Sequence, residues 1–179
     1  MSRFDRSLLA RAQAWVNTGS TQLPEVEVAP EPAKLAVEVA AALCRRFEGF
    51  MSHPYLCPAG VPTIGWGATY YLDGRRVTLK DPPISREAAD RLLLKTIERV
   101  YLPAVLKLCP NIRDANRLAA IIDWTFNLGE ANLRSSTLRK RINAERWDQV
   151  PTEIRKWRYA AGKELRGLVL RREAEAALV

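Results

Sequence analysis

Phe47 to Gly67 reads FEGFMSHPYLCPAGVPTIGWG, and the rest of the chain is read outward from it. Glu48 is followed nine positions later by Cys57, and Cys57 six positions later by Thr63. Before the stretch, Leu35, Val39, Leu43, Phe47 and Phe50 recur at helical spacing, so Glu48 falls on the last turn of a helix. After it come turn residues, Ser52, Pro54, Pro58, Gly60 and Pro62, with β-prone pieces between them. A Glu at a helix end facing a small glycine-containing hairpin is a way to set a carboxylic acid at the lip of a cleft. Gly65 and Gly67 let the hairpin backbone approach its neighbours closely.

The chain has 179 residues, enough for one domain or one domain with an appendage. Its hydrophobic content of 47% supports an ordinary core. The net charge of +8 points to an anionic partner such as a cell wall, anionic lipid or nucleic acid. That charge is uneven: residues 1–34 are neutral on balance, whereas 134–179 carry twelve bases against six acids. Three cysteines (Cys44, Cys57, Cys109) are too few for a disulfide scaffold, and a lone His53 without a Cys-x-x-Cys pair argues against zinc. His53 itself reads as a turn residue. No apolar run reaches the ~18–20 residues of a membrane span. The N-terminus has no signal-type apolar core, because Leu8-Leu9-Ala10 is interrupted at Arg11.

Residues 3–17 predict a short amphipathic helix and 18–33 a Pro-rich linker, so 1–34 form an extension and 35–179 the main domain. Within the domain, Asp73-Gly74 marks a turn between Tyr70–Leu72 and Val77–Leu79. Ser85 is placed to cap a helix that Pro103 breaks or kinks. Leu118 to Phe126 is apolar nearly all round and predicts a central buried helix ending at Gly129. Ser135 or Ser136 caps a helix through Ile142, Asp148 to Tyr159 predicts another, and Gly167 to Leu178 the last. The pattern is one β hairpin among six or seven helices, an α+β domain with helices dominant.

The motif resembles that of the phage-type lysozymes, the glycoside hydrolases of the T-even phage lysozyme and the lambdoid endolysins. Glu48-Gly49, Cys57 and Thr63-Ile64-Gly65-Trp66-Gly67 carry the resemblance with both spacings kept. Phe126–Gly129, Ser136–Leu138, Gly162-Lys163, Gly167-Leu168, Arg171-Arg172 and Glu175 extend it over residues 35–179. The resemblance implies a lysozyme-like fold, a small β-hairpin lobe and a helical lobe flanking a cleft. It implies hydrolysis of the β-1,4 bond between N-acetylmuramic acid and N-acetylglucosamine in peptidoglycan, for host-cell lysis, with no cofactor. It makes Glu48 the acid, and Phe126 and Thr137 candidates for sugar contact, with Asn127 and Asn132 as weaker polar ones.

Glycoside hydrolysis needs an acid on the leaving oxygen and a second group on the opposite face of the sugar. A free Glu ionises near ~4.3, so the site is expected to favour its protonated form, with Phe47, Phe50 and Tyr55 as candidate desolvating groups. Cys57 stands where many relatives have Asp. Its thiol is open to three roles: a thiolate base, a group placing water together with Thr63, or a nucleophile. The position after Gly67 is Ala68, where relatives often have His. Cys44 lies one helical turn before Glu48, which leaves a redox link to Cys57 open. As a whole the chain reads as a monomeric wall enzyme held in the host cytoplasm until a separate holin-type pore lets it reach the periplasm and wall. It reads as having no specific nucleic-acid partner. Two rivals are a lytic transglycosylase on the same bond and an inactive basic wall- or nucleic-acid-binding relative.

Overall fold

The computed structural model describes residues 31–57 and 60–179. The predicted helix over 3–17 and most of the 18–33 linker lie outside the described residues. Helix α1 spans Glu31–Phe47, four residues earlier than the apolar stripe suggests. Pro32 sits in its first turn, where a missing N–H removes no intrahelical bond. Its buried residues, Ala33, Ala36, Val37, Ala40, Ala41 and Cys44, form one small-residue face. The Glu48 N–H still donates to the Cys44 carbonyl at 2.8 Å, so Glu48 closes the last turn.

Strands β1 (Met51–Leu56) and β2 (Pro62–Gly65) pair antiparallel, Tyr55 opposite Thr63 and Met51 opposite Gly65. The register shifts between Met51 and Tyr55. Pro54 falls in that irregularity, where its missing donor removes nothing from the ladder. His53 lies exposed on β1, not in a turn as expected from the sequence, and its Nδ1 is 3.0 Å from Ser52 Oγ. The Asp73-Gly74 turn forms as expected, with Gly74 at φ 82° and the Arg75 N–H donating to Asp73 Oδ1. Its flanks pair only through a single bridge, Tyr70 with Arg76, and are not full strands.

Gly65 has φ 65°, and a Cβ added there would meet Ala89 Cβ at 3.1 Å. A side chain at Gly65 would therefore strain the backbone and push the hairpin off the next helix. Gly65→Ala is expected to lower the unfolding free energy by about 1–3 kcal/mol in a urea titration.

Helix α2 (Arg86–Thr96) is capped by Ser85, which accepts from the Ala88 N–H. The chain then passes through a π-helical turn, Ile97–Tyr101, directly into α3 (Leu102–Leu108). Pro103 therefore does not break the helix: the widened turn, closed by the Leu102 N–H on the Ile97 carbonyl, brings Pro103 to the start of α3. Helix α4 (Ala115–Leu128) buries every residue from Leu118 to Thr125 and is the central helix that its apolar circumference predicts. It packs most extensively on α1. Full burial of each large aliphatic side chain contributes roughly 1.5–3 kcal/mol, so Leu118, Ile121 and Ile122 make α4 the anchor of the core.

Gly129 (φ 90°) separates α4 from α5 (Glu130–Ser135), a short helix that sequence reading runs past. Ser136 then caps α6 (Thr137–Asn143) by accepting from the Arg139 N–H. Helix α7 covers only Val150–Arg155. The helix expected through Tyr159 is corrected here: Trp157 turns inward, its ring 5.0 Å from that of Trp124, edge to face. The chain leaves as β3 (Tyr159–Ala160), pairs with β4 (Lys163–Glu164) and enters α8 (Arg166–Ala176). Both turn residues, Ala161 (φ 50°) and Gly162 (φ 77°), are left-handed, as a two-residue hairpin turn needs. The described residues thus hold a second small hairpin beside the expected one, within a mainly helical α+β fold. No helix among them is long and apolar enough to cross a membrane.

Candidate active site

Glu48 sits between α1 and β1, about one quarter exposed, with its side chain turned onto α8. Arg171 Nη1 donates to its Oε1 at 2.5 Å. The sequence motif places Glu48 at a helix end, and the fold adds a buried guanidinium 123 residues away in sequence.

Arg171 is itself held from below. Its Nε and Nη2 donate to Asp123 Oδ2 and Oδ1 at 2.9 and 2.8 Å. Asp123, on α4, is fully buried and also accepts from the Cys44 thiol at 3.2 Å. Beside it Arg172 Nη2 donates to Glu175 Oε1 at 2.6 Å and to Asn127 Oδ1 at 3.1 Å. Sequence reading assigned none of Arg171, Asp123, Arg172 or Glu175 a role at the site. The available signal was the charged run on a helix that must dock: Arg171, Arg172 and Glu175 share the buried side of α8.

Burial alone would push the Asp123 carboxyl up. The hydrogen bonds and charge of Arg171 override it and hold Asp123 below the usual carboxylate range. Glu175 goes the other way: burial first, then the Asp123 charge, push it well above that range, and Arg172 only partly offsets them. Cys44 is pushed up by burial and by Asp123, so it stays a neutral thiol.

The hairpin supplies the other residues. Cys57 is half-buried, and its thiol is free. Its N–H donates to the Val61 carbonyl at 3.0 Å, which closes the hairpin loop. Tyr55 links the two sides: burial raises its phenol, and the charges of Glu48 and Cys57 add to the effect. Thr63 is buried, and its hydroxyl donates to the Val61 carbonyl at 2.9 Å. Its donor thus goes to the backbone, not to Cys57, and the oxygen keeps its acceptor capacity. The three cysteines are free, so the redox link left open for Cys44 and Cys57 is absent; Cys44 turns to Asp123 instead. Cys109 is buried, and burial pushes its thiol up to about 12.

The expected aromatic surround is divided. Phe47 lies with its ring centre 5.7 Å from the Arg171 guanidinium carbon. Phe50 instead packs at a tilt against Trp66, ring centres 5.2 Å apart, under Arg86. Phe126 is half-buried, 5.1 Å from the Tyr101 ring and 6.0 Å from the Arg171 carbon, so it borders the same cluster. Thr137 is exposed at the first position of α6. Asn127 is engaged by Arg172, and Asn132 Nδ2 donates to the Leu128 carbonyl at 2.6 Å. A separate depression lined by Glu31, Lys34, Glu38 and Arg113 lies at the far end of α1, roughly 25 Å from Glu48 along a 17-residue helix. Its mixed charge brings no group toward Glu48. No cluster of three or more metal-ligating side chains occurs among the described residues.

Known proteins resemble the chain over most of its length. Residues 45–175 fit the family model described as phage lysozyme. The chain is 34% identical over 145 residues to an endolysin of Acyrthosiphon pisum secondary endosymbiont phage 1, covering 79% of this chain and 94% of that one. It is 29% identical to the endolysin of Salmonella phage P22, covering 75% and 90%. Among solved structures, the endolysin from Escherichia coli O157:H7 phage FAHEc1 aligns with a TM-score of 0.68 at 30% identity, over 78% of this chain and 89% of that one. With its motif, hairpin and helical lobe all accounted for, the chain belongs to the phage lysozyme family.

Proposed function

We propose that this peptidoglycan-degrading lysis enzyme is an N-acetylmuramidase, hydrolysing the β-1,4 bond from N-acetylmuramic acid to N-acetylglucosamine. The observation that carries the reading is the Glu48 carboxyl, part exposed at the helix end and oriented from beneath by Arg171. In this reading Glu48 protonates the leaving oxygen. Cys57 and Thr63, on the two arms of the hairpin, place the attacking water. Phe126 and Thr137 are the proposed sugar contacts, Phe126 through its place beside Arg171 and Thr137 through its exposure. The protein acts as a monomer on the wall and reaches it through a separate pore, after being held in the host cytoplasm. The basic 134–179 segment suits the anionic wall.

The test is product chemistry. Digested peptidoglycan is reduced with borohydride and its new ends are identified. Reduced muramic acid ends are expected. Ends carrying 1,6-anhydromuramic acid would replace this reading with the transglycosylase one, and reduced glucosamine ends would move the cut to the other glycosidic bond.

The thiol gives a second expected result. Cys57 is the accessible thiol of the three, since Cys44 and Cys109 are buried and pushed up. Iodoacetamide is expected to label Cys57 alone in the folded protein and to abolish lysis, because the added group fills the water site. Full lysis by protein shown by mass spectrometry to be alkylated at Cys57 would remove that residue from the mechanism.

A further inference from the structure

An arginine against a catalytic acid creates a conflict. Its charge favours the carboxylate, whereas an acid that protonates a leaving group has to carry a proton. The fold contains the offset. Asp123 takes the Nε donor and one Nη2 donor of Arg171, and Nη1 meets Glu48. It stays ionised in full burial because Arg171 holds it so. Glu175 on α8 is 3.8 Å from Arg171 Nε and is engaged by Arg172 Nη2 at 2.6 Å, so its nearest cation is Arg172 and not Arg171. Cys44 on α1 contributes a neutral donor, and Arg172 is turned to Glu175 and Asn127. Glu48 itself faces Arg171, with Tyr55 and the Cys44 thiol within reach of its charge.

We propose that Asp123 is the positioning residue of the acid: it fixes the plane of the Arg171 guanidinium and cancels its charge, so that Nη1 orients Glu48 without pinning it as a carboxylate. The proposal rests on the reading of Glu48 as the acid. Asp123 touches no substrate and acts only through Arg171.

The variant is Asp123→Asn, which keeps the shape and removes the charge. Lysis of purified peptidoglycan is followed against pH, with folding checked by near-ultraviolet circular dichroism. The uncancelled guanidinium then draws the Glu48 proton away sooner as pH rises. The alkaline limb of activity is expected to move toward acid by roughly one pH unit, a tenfold loss at a fixed pH on that limb. KM is expected to stay within about twofold, because no substrate contact is lost. A folded Asp123→Asn whose limb stays in place while its maximal rate falls would overturn the proposal and leave a structural role. A wild-type measurement covers a variant that does not fold. The clamped Arg171 Nε–H should exchange slowly with water by NMR, and fast exchange in the folded protein would equally overturn the proposal. Lysis retained by Glu48→Gln would instead remove the parent reading, so the two failures are separable.

Discussion

Glu48→Gln should fold as the wild type does and lose lysis by about 10²–10⁴-fold, the range over which a positioned general acid acts. The fold survives because the Gln carbonyl can still accept from Arg171 Nη1, while Nε and Nη2 remain on Asp123. The activity does not, because an amide cannot deliver a proton to the leaving oxygen. The measurement is turbidity loss of purified peptidoglycan beside a thermal melt of the same sample. A large loss of lysis with an unchanged melt identifies Glu48 as chemical rather than structural. Lysis within twofold of wild type would end its assignment as the acid.

The second large effect is on stability. Arg171→Ala strips the only guanidinium among the described residues within hydrogen-bond reach of Asp123, which has no exposure to water. Removing one partner of a buried ion pair costs about 3–5 kcal/mol. For a chain of this size that corresponds to a fall of roughly 10 °C in Tm. The pH dependence is also expected to change sign. In the wild type Asp123 is held below the ordinary carboxylate range, so its contribution is present above about pH 4 and is lost on acidification. In Arg171→Ala burial outweighs the Cys44 hydrogen bond that remains, the carboxyl moves up, and the variant loses stability as pH rises instead. Glu175, already pushed up in the wild type, has that same falling trend and also loses the Arg171 charge in the variant, so both carboxyls move the variant in the same direction. Melts at pH 4 and pH 8 decide it: a Tm gap no wider at pH 8 than at pH 4 would mean that Asp123 does not depend on Arg171.

Particular residues show where sequence reading reached and where it stopped. Ser85, Ser136 and Gly129 were legible because a cap or a left-handed residue is a local requirement, met or failed within four positions. The α4 core helix was legible because burial on all sides leaves no polar face. At Pro103 a break was not forthcoming, because the π-helical turn that accommodates the proline depends on how the preceding residues pack. The Tyr159–Glu164 hairpin was missed for two reasons: Ala-Gly is a weak turn signal, and Trp157 leaves the helical path to meet Trp124, 33 positions earlier. Phe50 was assigned to Glu48 on proximity along the chain, but its ring packs against Trp66.

Sequence alone determined the spacing of Glu48, Cys57 and Thr63, the helix that ends at Glu48 and the hairpin that follows it, since these depend on neighbours within some twenty residues. Only the tertiary structure decided what stands beneath Glu48. Arg171, Asp123 and Cys44 come from three helices, 48 to 127 positions apart in pairs, with no periodicity connecting them. They meet because α1, α4 and α8 pack into one core, where charges taken from water have to find partners.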